Sequence, residues 1–170
     1  MKNQYKKHNK TGVLLVNLGT PDSTSVPDVK KYLREFLSDR RVIELHPMLW
    51  TLILNGFILP FRSPKTAKLY KAIWRKEDNM SPLFYYTERQ AALLCEIIPD
   101  HFLLDFAMRY GTPSIEVKLK ALHKQGATDI KILPLYPQYS STTTATVYDE
   151  VYRILSKMRW QPNIIGIKPY

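Results

Sequence analysis

With a single cysteine, Cys95, the 170-residue chain can form no internal disulfide. That excludes the stapled scaffolds of small secreted domains and suits a reducing cytoplasm. Cys95 itself falls in an apolar helical pattern and reads as a core residue. No apolar run is long enough to cross a bilayer, and no continuous apolar segment precedes the first strand pattern as a secretion signal requires. Histidines are few and badly spaced for a metal. His8 lies in a basic N-terminal stretch, His46 and His101 lie near element ends, and His123 falls on a polar helical face, without paired-histidine or cysteine spacing. The glycines fit neither the dinucleotide fingerprint nor the phosphate-binding loop, and no internal repeat or low-complexity segment is present.

Acidic residues are also short: 15 Asp and Glu against 25 Lys and Arg leave a formal charge of +10. Such an excess favours anionic partners, whether nucleic acid, acidic lipid or a carboxylate-bearing small molecule. Lys2, Lys6, Lys7 and Lys10 belong to residues 1–11, which read as a basic flexible tail. Neither a recognition-helix motif nor an RNA-binding aromatic signature accompanies the charge, so nucleic acid is not an expected partner. With 45% hydrophobic residues, 12–170 suffices for one buried core.

What is there is an alternation of strand and helix patterns. Gly12 to Leu18 is a near-continuous apolar run, the mark of a strand buried on both faces. Ser25 offers a cap, and Val29, Leu33, Phe36 and Leu37 recur at helical spacing up to about Ser38. A second helix is expected to open at Ser63-Pro64 and a third to run from about Thr87 to Ile97. Phe102 to Met108 is the second strand, Thr112-Pro113-Ser114 starts a helix closed by Gly126, and Ile130 to Tyr136 is the third strand, with Pro134 marking a bulge or an end. A helix through Ala145, Val151 and Met158 leads to a fourth strand at Ile164 to Ile167. The predicted fold is an α/β, doubly wound, parallel four-stranded sheet with flanking helices.

Three strand-to-helix junctions carry polar loop motifs: Asn17 to Asp22, Arg109 to Pro113, and Tyr136 to Thr144. In an open α/β sheet all three gather at the carboxyl edge, where ligands bind. Arg109 at such an edge suits a carboxylate or phosphate, while an ion pair to Asp105 or Asp22 is an equally good structural reading. In the ligand reading Arg109→Ala impairs function with little loss of fold. Tyr136 to Thr144 holds two phenols and five hydroxyls at a helix start, more than capping needs. Met48 to Phe61 is nearly free of charge and is followed by Arg62 and Lys65. It reads either as a short buried helix or as a lip that dips into a membrane interface.

Val16 to Asp22, Phe36 to Arg41, Ser81-Pro82-Leu83, Tyr110 to Ser114 and Leu133 to Thr143 appear in the order and spacing of one family. On these motifs the chain resembles the N-terminal half of ferrochelatase, which inserts ferrous iron into protoporphyrin IX to form protohaem. The resemblance implies two similar α/β domains with the porphyrin between them. The family's key histidine and glutamate then lie in a second half, beyond Tyr170. It implies porphyrin contacts from Leu18, Leu37, Ser81, Arg109, Tyr136, Ser140 and Thr142, and a membrane lip including Trp50, Leu52, Ile53 and Phe57. No catalytic residue and no metal ligand of this half is implied; iron and porphyrin are substrates. Some members place an iron-sulfur cysteine where this chain has Ser141, which supplies no thiolate, so no cluster is expected there. Where members often have glycine before Ser-Pro-Leu, this chain has Asp78-Asn79-Met80. The expected location is cytoplasmic, peripheral on the inner face of the membrane, and the missing half is the expected partner. The alternative is a non-catalytic tetrapyrrole- or membrane-binding module.

Overall fold

The computed structural model describes residues 10–167; the proposed tail residues 1–9 lie outside the described residues. Four parallel strands, β1 (Lys10–Thr20), β2 (Phe102–Gly111), β3 (Ala127–Pro134) and β4 (Asn163–Gly166), form one sheet in the order β2-β1-β3-β4. Placing β1 in the centre makes β2 and β3 its neighbours on either side, the reversal of strand order that opens a ligand crevice at the carboxyl ends. Lys10 and Thr11, assigned from sequence to the tail, are the first residues of β1 and pair with β3. Pro134 closes β3, so Tyr136 stands beyond the ladder.

Helices cover both faces. Leu14, Val16 and Ala107 face α5 (Ile115–Lys124) and α6 (Thr146–Leu155), packing with Leu119, Leu122, Val147, Val151 and Ile154. On the other face, α1 (Val26–Leu37) brings Val29, Tyr32 and Leu33 to Tyr110. Beside it α4 (Pro82–Ile97) sets Phe84 edge-on to Phe106 and Thr87 against Asn17. These assignments follow the two-residue alternation of strand side chains.

Several boundaries differ from the sequence pattern for local reasons. Helix α4 opens a full turn before Thr87, because Ser81 accepts the Phe84 N–H at 3.1 Å and Pro82 supplies a fixed first-turn φ. The cap of α5 is Ser114, with Pro113 lying before it. Cys95 is exposed, contrary to the core reading. Only Thr87 and Ala91 on α4 are buried, a stripe too narrow to include the last turn.

The largest difference lies between α1 and α4. Rather than opening at Ser63-Pro64, helical backbone runs unbroken through α2 (Pro47–Ile53), a five-residue π segment (Leu54–Ile58) and α3 (Leu59–Ile73), with Pro64 inside α3. The extra residue of a π turn shifts helical phase. Leu54 and Leu59, five apart across it, both stay buried, and Ser63 and Ala67 continue that stripe at four-residue steps. The packing of this stripe against Val29, Leu33 and Leu37 holds a helix that Pro64 alone argues against.

Candidate functional site

The predicted junctions meet at the carboxyl edge. Gly19 lies opposite Tyr110 and Thr20 opposite Gly111. Gly19 has φ +110°, and a Cβ there would sit 1.8 Å from the Tyr110 carbonyl oxygen; Gly111 has φ +90°, with the Thr20 oxygen 2.7 Å away. The two glycines therefore let β1 and β2 leave the sheet in backbone contact. Just beyond, Asp22 accepts hydrogen bonds from the Thr112 hydroxyl and from Lys31 Nζ, the latter at 2.7 Å. The Lys31 hydrogen bond, with help from Thr112, holds the Asp22 carboxyl below its ordinary value.

Arg109 bonds neither Asp105, which pairs with Lys118, nor Asp22. Its Nη2 donates to Asp39 Oδ2 at 2.6 Å, its Nε to the Thr146 carbonyl and hydroxyl oxygens at 2.9 and 2.6 Å, and its guanidinium carbon lies 4.4 Å from the Tyr110 ring centre. The Tyr110 hydroxyl also donates to Asp39, at 2.8 Å, and burial above all pushes its pKa up. Asp39, Tyr110 and Thr146 were not singled out from sequence as site residues. The one available signal was that Asp39 and Tyr110 stand inside matching motifs.

With side chains only 12% and 9% exposed, Arg109 and Asp39 form a largely buried pair. Removing one partner leaves the other charged and desolvated. Arg109→Ala is therefore expected to destabilise the fold by about 3 kcal/mol, against the small loss expected from sequence, while Arg109→Lys loses less because it keeps the charge. Thermal melts of both variants check this.

The other sequence candidates divide. Leu18 is half-buried against the cluster that includes Val29, Leu33 and Tyr110, and its N–H is held by Asn17 Oδ1 at 2.8 Å while Asn17 Nδ2 is anchored to Thr87. Tyr136 has a buried hydroxyl with no partner among the described residues; burial pushes its pKa up to about 12, and the nearby Arg109 charge opposes that shift. Leu37 is a core residue against α3, not part of an open wall. Ser140 closes a reciprocal cap with Thr143, so its hydroxyl is occupied; Thr142 is exposed 3.3 Å from it. Exposed Ser141 lies at the long end of hydrogen-bond range from Arg41, which clamps Asp149.

Ser81 stands apart from Arg109 and Tyr136. It lines a separate cleft of about 370 Å³ with Thr20, Asp22, Trp74, Asn79, Phe84 and others. The loop preceding it is built by Arg75, which pairs with Asp78 at 2.8 Å, stacks 3.6 Å from the Tyr85 ring centre, and donates its backbone N–H to the Met80 carbonyl. Asn79, at φ 54°, fills the left-handed position that glycine would otherwise favour.

The lip stretch is two-sided. Met48, Leu52, Phe57 and Phe61 are 66–76% exposed, and the π segment keeps them on one stripe just as it aligns the buried one. Trp50 and Ile53, also expected on the lip, are only half-exposed, and the Trp50 indole donates to the Leu37 carbonyl at 2.7 Å. Among the described residues no helix is long and apolar enough to cross a membrane, and no group of three or more His, Cys, Asp or Glu could hold a metal.

The ferrochelatase family model matches residues 10–170. The chain is 59% identical over its whole length to proteins named ferrochelatase from Francisella tularensis subsp. tularensis and subsp. mediasiatica, and 58% identical to that of subsp. novicida, in each case covering 51% of the relative. It thus spans about half the length of the curated relatives it matches. Those motifs sit on a four-stranded parallel sheet whose carboxyl edge gathers Leu18, Arg109 and Tyr136. On the family match and this identity, the chain belongs to the ferrochelatase family.

Proposed function

We propose that this chain supplies the porphyrin-facing wall of a ferrochelatase and acts with a second half to insert ferrous iron into protoporphyrin IX. The observation that carries the reading is the buried Tyr136 hydroxyl, with no partner among the described residues, just beyond β3 at the carboxyl edge that also carries Arg109, where an α/β sheet binds its ligand. Leu18 supplies apolar surface close to the same edge. A shaped wall that binds a bent macrocycle better than a flat one exposes the pyrrole lone pairs and lowers the barrier by differential binding. Because the Arg109 fork is already engaged by Asp39 and Thr146, its part is electrostatic and positional, not a bidentate grip on a substrate carboxylate.

A Soret titration of the purified chain with protoporphyrin in mixed micelles tests the reading. Saturable one-to-one binding, weakened at least fivefold by Tyr136→Phe or Leu18→Ala, is the expected result. Unsaturable partitioning unaffected by either substitution overturns it.

The stripe of Met48, Leu52, Phe57 and Phe61, with Arg62 and Lys65 following, supports a peripheral contact with an anionic membrane surface on the cytoplasmic side. Replacing the four apolar residues by glutamine or serine is expected to reduce sedimentation with anionic liposomes at least tenfold and to leave the melting temperature within about 3 °C. Unchanged liposome binding removes the lip. Trp50 is excluded from that set because its indole is a structural donor.

A further inference from the structure

Consecutive residues of a strand point to opposite faces. Arg109 and Tyr110 obey this: the first reaches Thr146 on α6, and the ring of the second packs beneath α1, although its hydroxyl tip also lies 3.2 Å from the Thr146 hydroxyl. Both nevertheless converge on one oxygen, Asp39 Oδ2, at 2.6 and 2.8 Å. The Asp39 carboxylate thus lies across the end of β2, and it is the charged group the two side chains share.

We propose that Asp39 is a positioning residue of the candidate site, fixing the Arg109 guanidinium and the Tyr110 ring at the carboxyl edge while compensating the arginine's charge. The inference rests on the porphyrin-wall reading above. Asp39 is itself held. Its Oδ1 accepts the Arg41 N–H at 2.8 Å, and Arg41 is clamped to Asp149 on α6 through its guanidinium, Nη2 to Oδ1 at 2.9 Å. On the other side, Leu37, two residues earlier, takes the Trp50 hydrogen bond. The turn after α1 is thus pinned from α2 and from α6, and its carboxylate arrives at β2 preorganised.

Charge is what the position requires. A hydrogen bond with an ionised partner is about twice as strong as a neutral–neutral one, and only a carboxylate also offsets the guanidinium's charge. An amide at residue 39 could still accept from Tyr110 but would leave Arg109 uncompensated in a partly buried setting. Arg109 would then keep only its neutral Thr146 acceptors, and its side chain would sample outward positions.

The test measures Arg109 directly. The purified chain is treated with phenylglyoxal, and modification of each arginine is followed by peptide mass spectrometry, with exposed Arg62 as internal reference. In the wild type, Arg109 should react at least tenfold more slowly than Arg62. In Asp39→Asn that ratio should rise at least fivefold while circular dichroism shows a folded chain, and Asp39→Glu, which keeps the carboxylate, should recover at least half of the protection. Equal rates at Arg109 and Arg62 in the wild type overturn the proposal without any variant, as does an unchanged ratio in folded Asp39→Asn. If Asp39→Asn does not fold, Asp39→Glu decides: Arg109 reacting at the Arg62 rate in that folded variant overturns the role of the carboxylate. The Soret titration is run in parallel. Porphyrin binding weakened at least threefold in folded Asp39→Asn supports positioning, and equal binding overturns it. A wild-type chain that binds no porphyrin removes the functional reading alone, because the arginine ratio still decides whether Asp39 holds Arg109.

Discussion

The purified 170-residue chain is expected to insert neither ferrous iron nor zinc into a porphyrin, at rates at least a thousandfold below those of a full-length relative, a loss of more than about 4 kcal/mol of barrier lowering. Insertion requires two pyrrole protons to leave, and a base poised near neutrality must receive them. None of the described histidines stands at the carboxyl edge. His46 is the exposed residue before α2, His101 precedes β2 at its amino end, and His123 lies on α5 stacked 4.7 Å from Trp160. Glu35 also reaches the end of β2; burial raises its pKa, but its Oε2 accepts the Gly111 N–H at 2.9 Å and so serves the strand end. The relatives are about twice as long as this chain, which leaves room for the groups that the resemblance assigns to a second half. The measurement is an anaerobic initial-rate assay with zinc or ferrous iron. Steady insertion at a rate comparable to a relative's would require a base within this chain and would end the division of roles proposed here.

Gly19→Val is expected to abolish folding of the chain. Its Cβ would fall 1.8 Å from the Tyr110 carbonyl oxygen, which belongs to the paired backbone of β2 and cannot swing aside as a side-chain tip does. The backbone at φ +110° also lies outside what a β-branched residue adopts. Together these effects should exceed about 5 kcal/mol, comparable to the whole stability of many domains. Gly126→Ala serves as the control. It too has positive φ, but no neighbouring atom lies within 4 Å of its added Cβ, so only the cost of left-handed backbone, about 1–2 kcal/mol, applies. Soluble yield and a melting curve for each distinguish the two. A cooperative melt for Gly19→Val near the wild-type temperature would show that the β1 and β2 ends separate more readily than their register implies.

Legibility varied with the range of the interaction. The four strands, the helices α1, α5 and α6, and the gathering of three loops at one edge follow from apolar runs, two-residue alternation and capping residues, all local in sequence. The unbroken helix from Pro47 to Ile73 does not, because Pro64 signals a start whereas burial of Leu54, Leu59 and Ala67 against α1 decides the outcome. Cys95 was misassigned for a related reason: helical spacing identifies a stripe but not how far along that stripe the sheet extends. Among site residues, Arg109 is visible as a cation at a strand end, while Ser140 reads as available because a run of five hydroxyls does not reveal that Thr143 closes a reciprocal cap with it.

By itself the sequence determined the α/β class, the family motifs and the edge at which they meet, since these depend on residue types and spacings along the chain. Only the tertiary structure decided what those residues do there. Arg109 and its partner Asp39 are 70 positions apart, and the Tyr110 bond to Asp39 spans 71. No local pattern selects Asp39 over Asp22 or Asp105 as the counterion. That choice is made by the strand order and the turn after α1, which bring one carboxylate across the end of β2 and send the other two to Lys31 and Lys118.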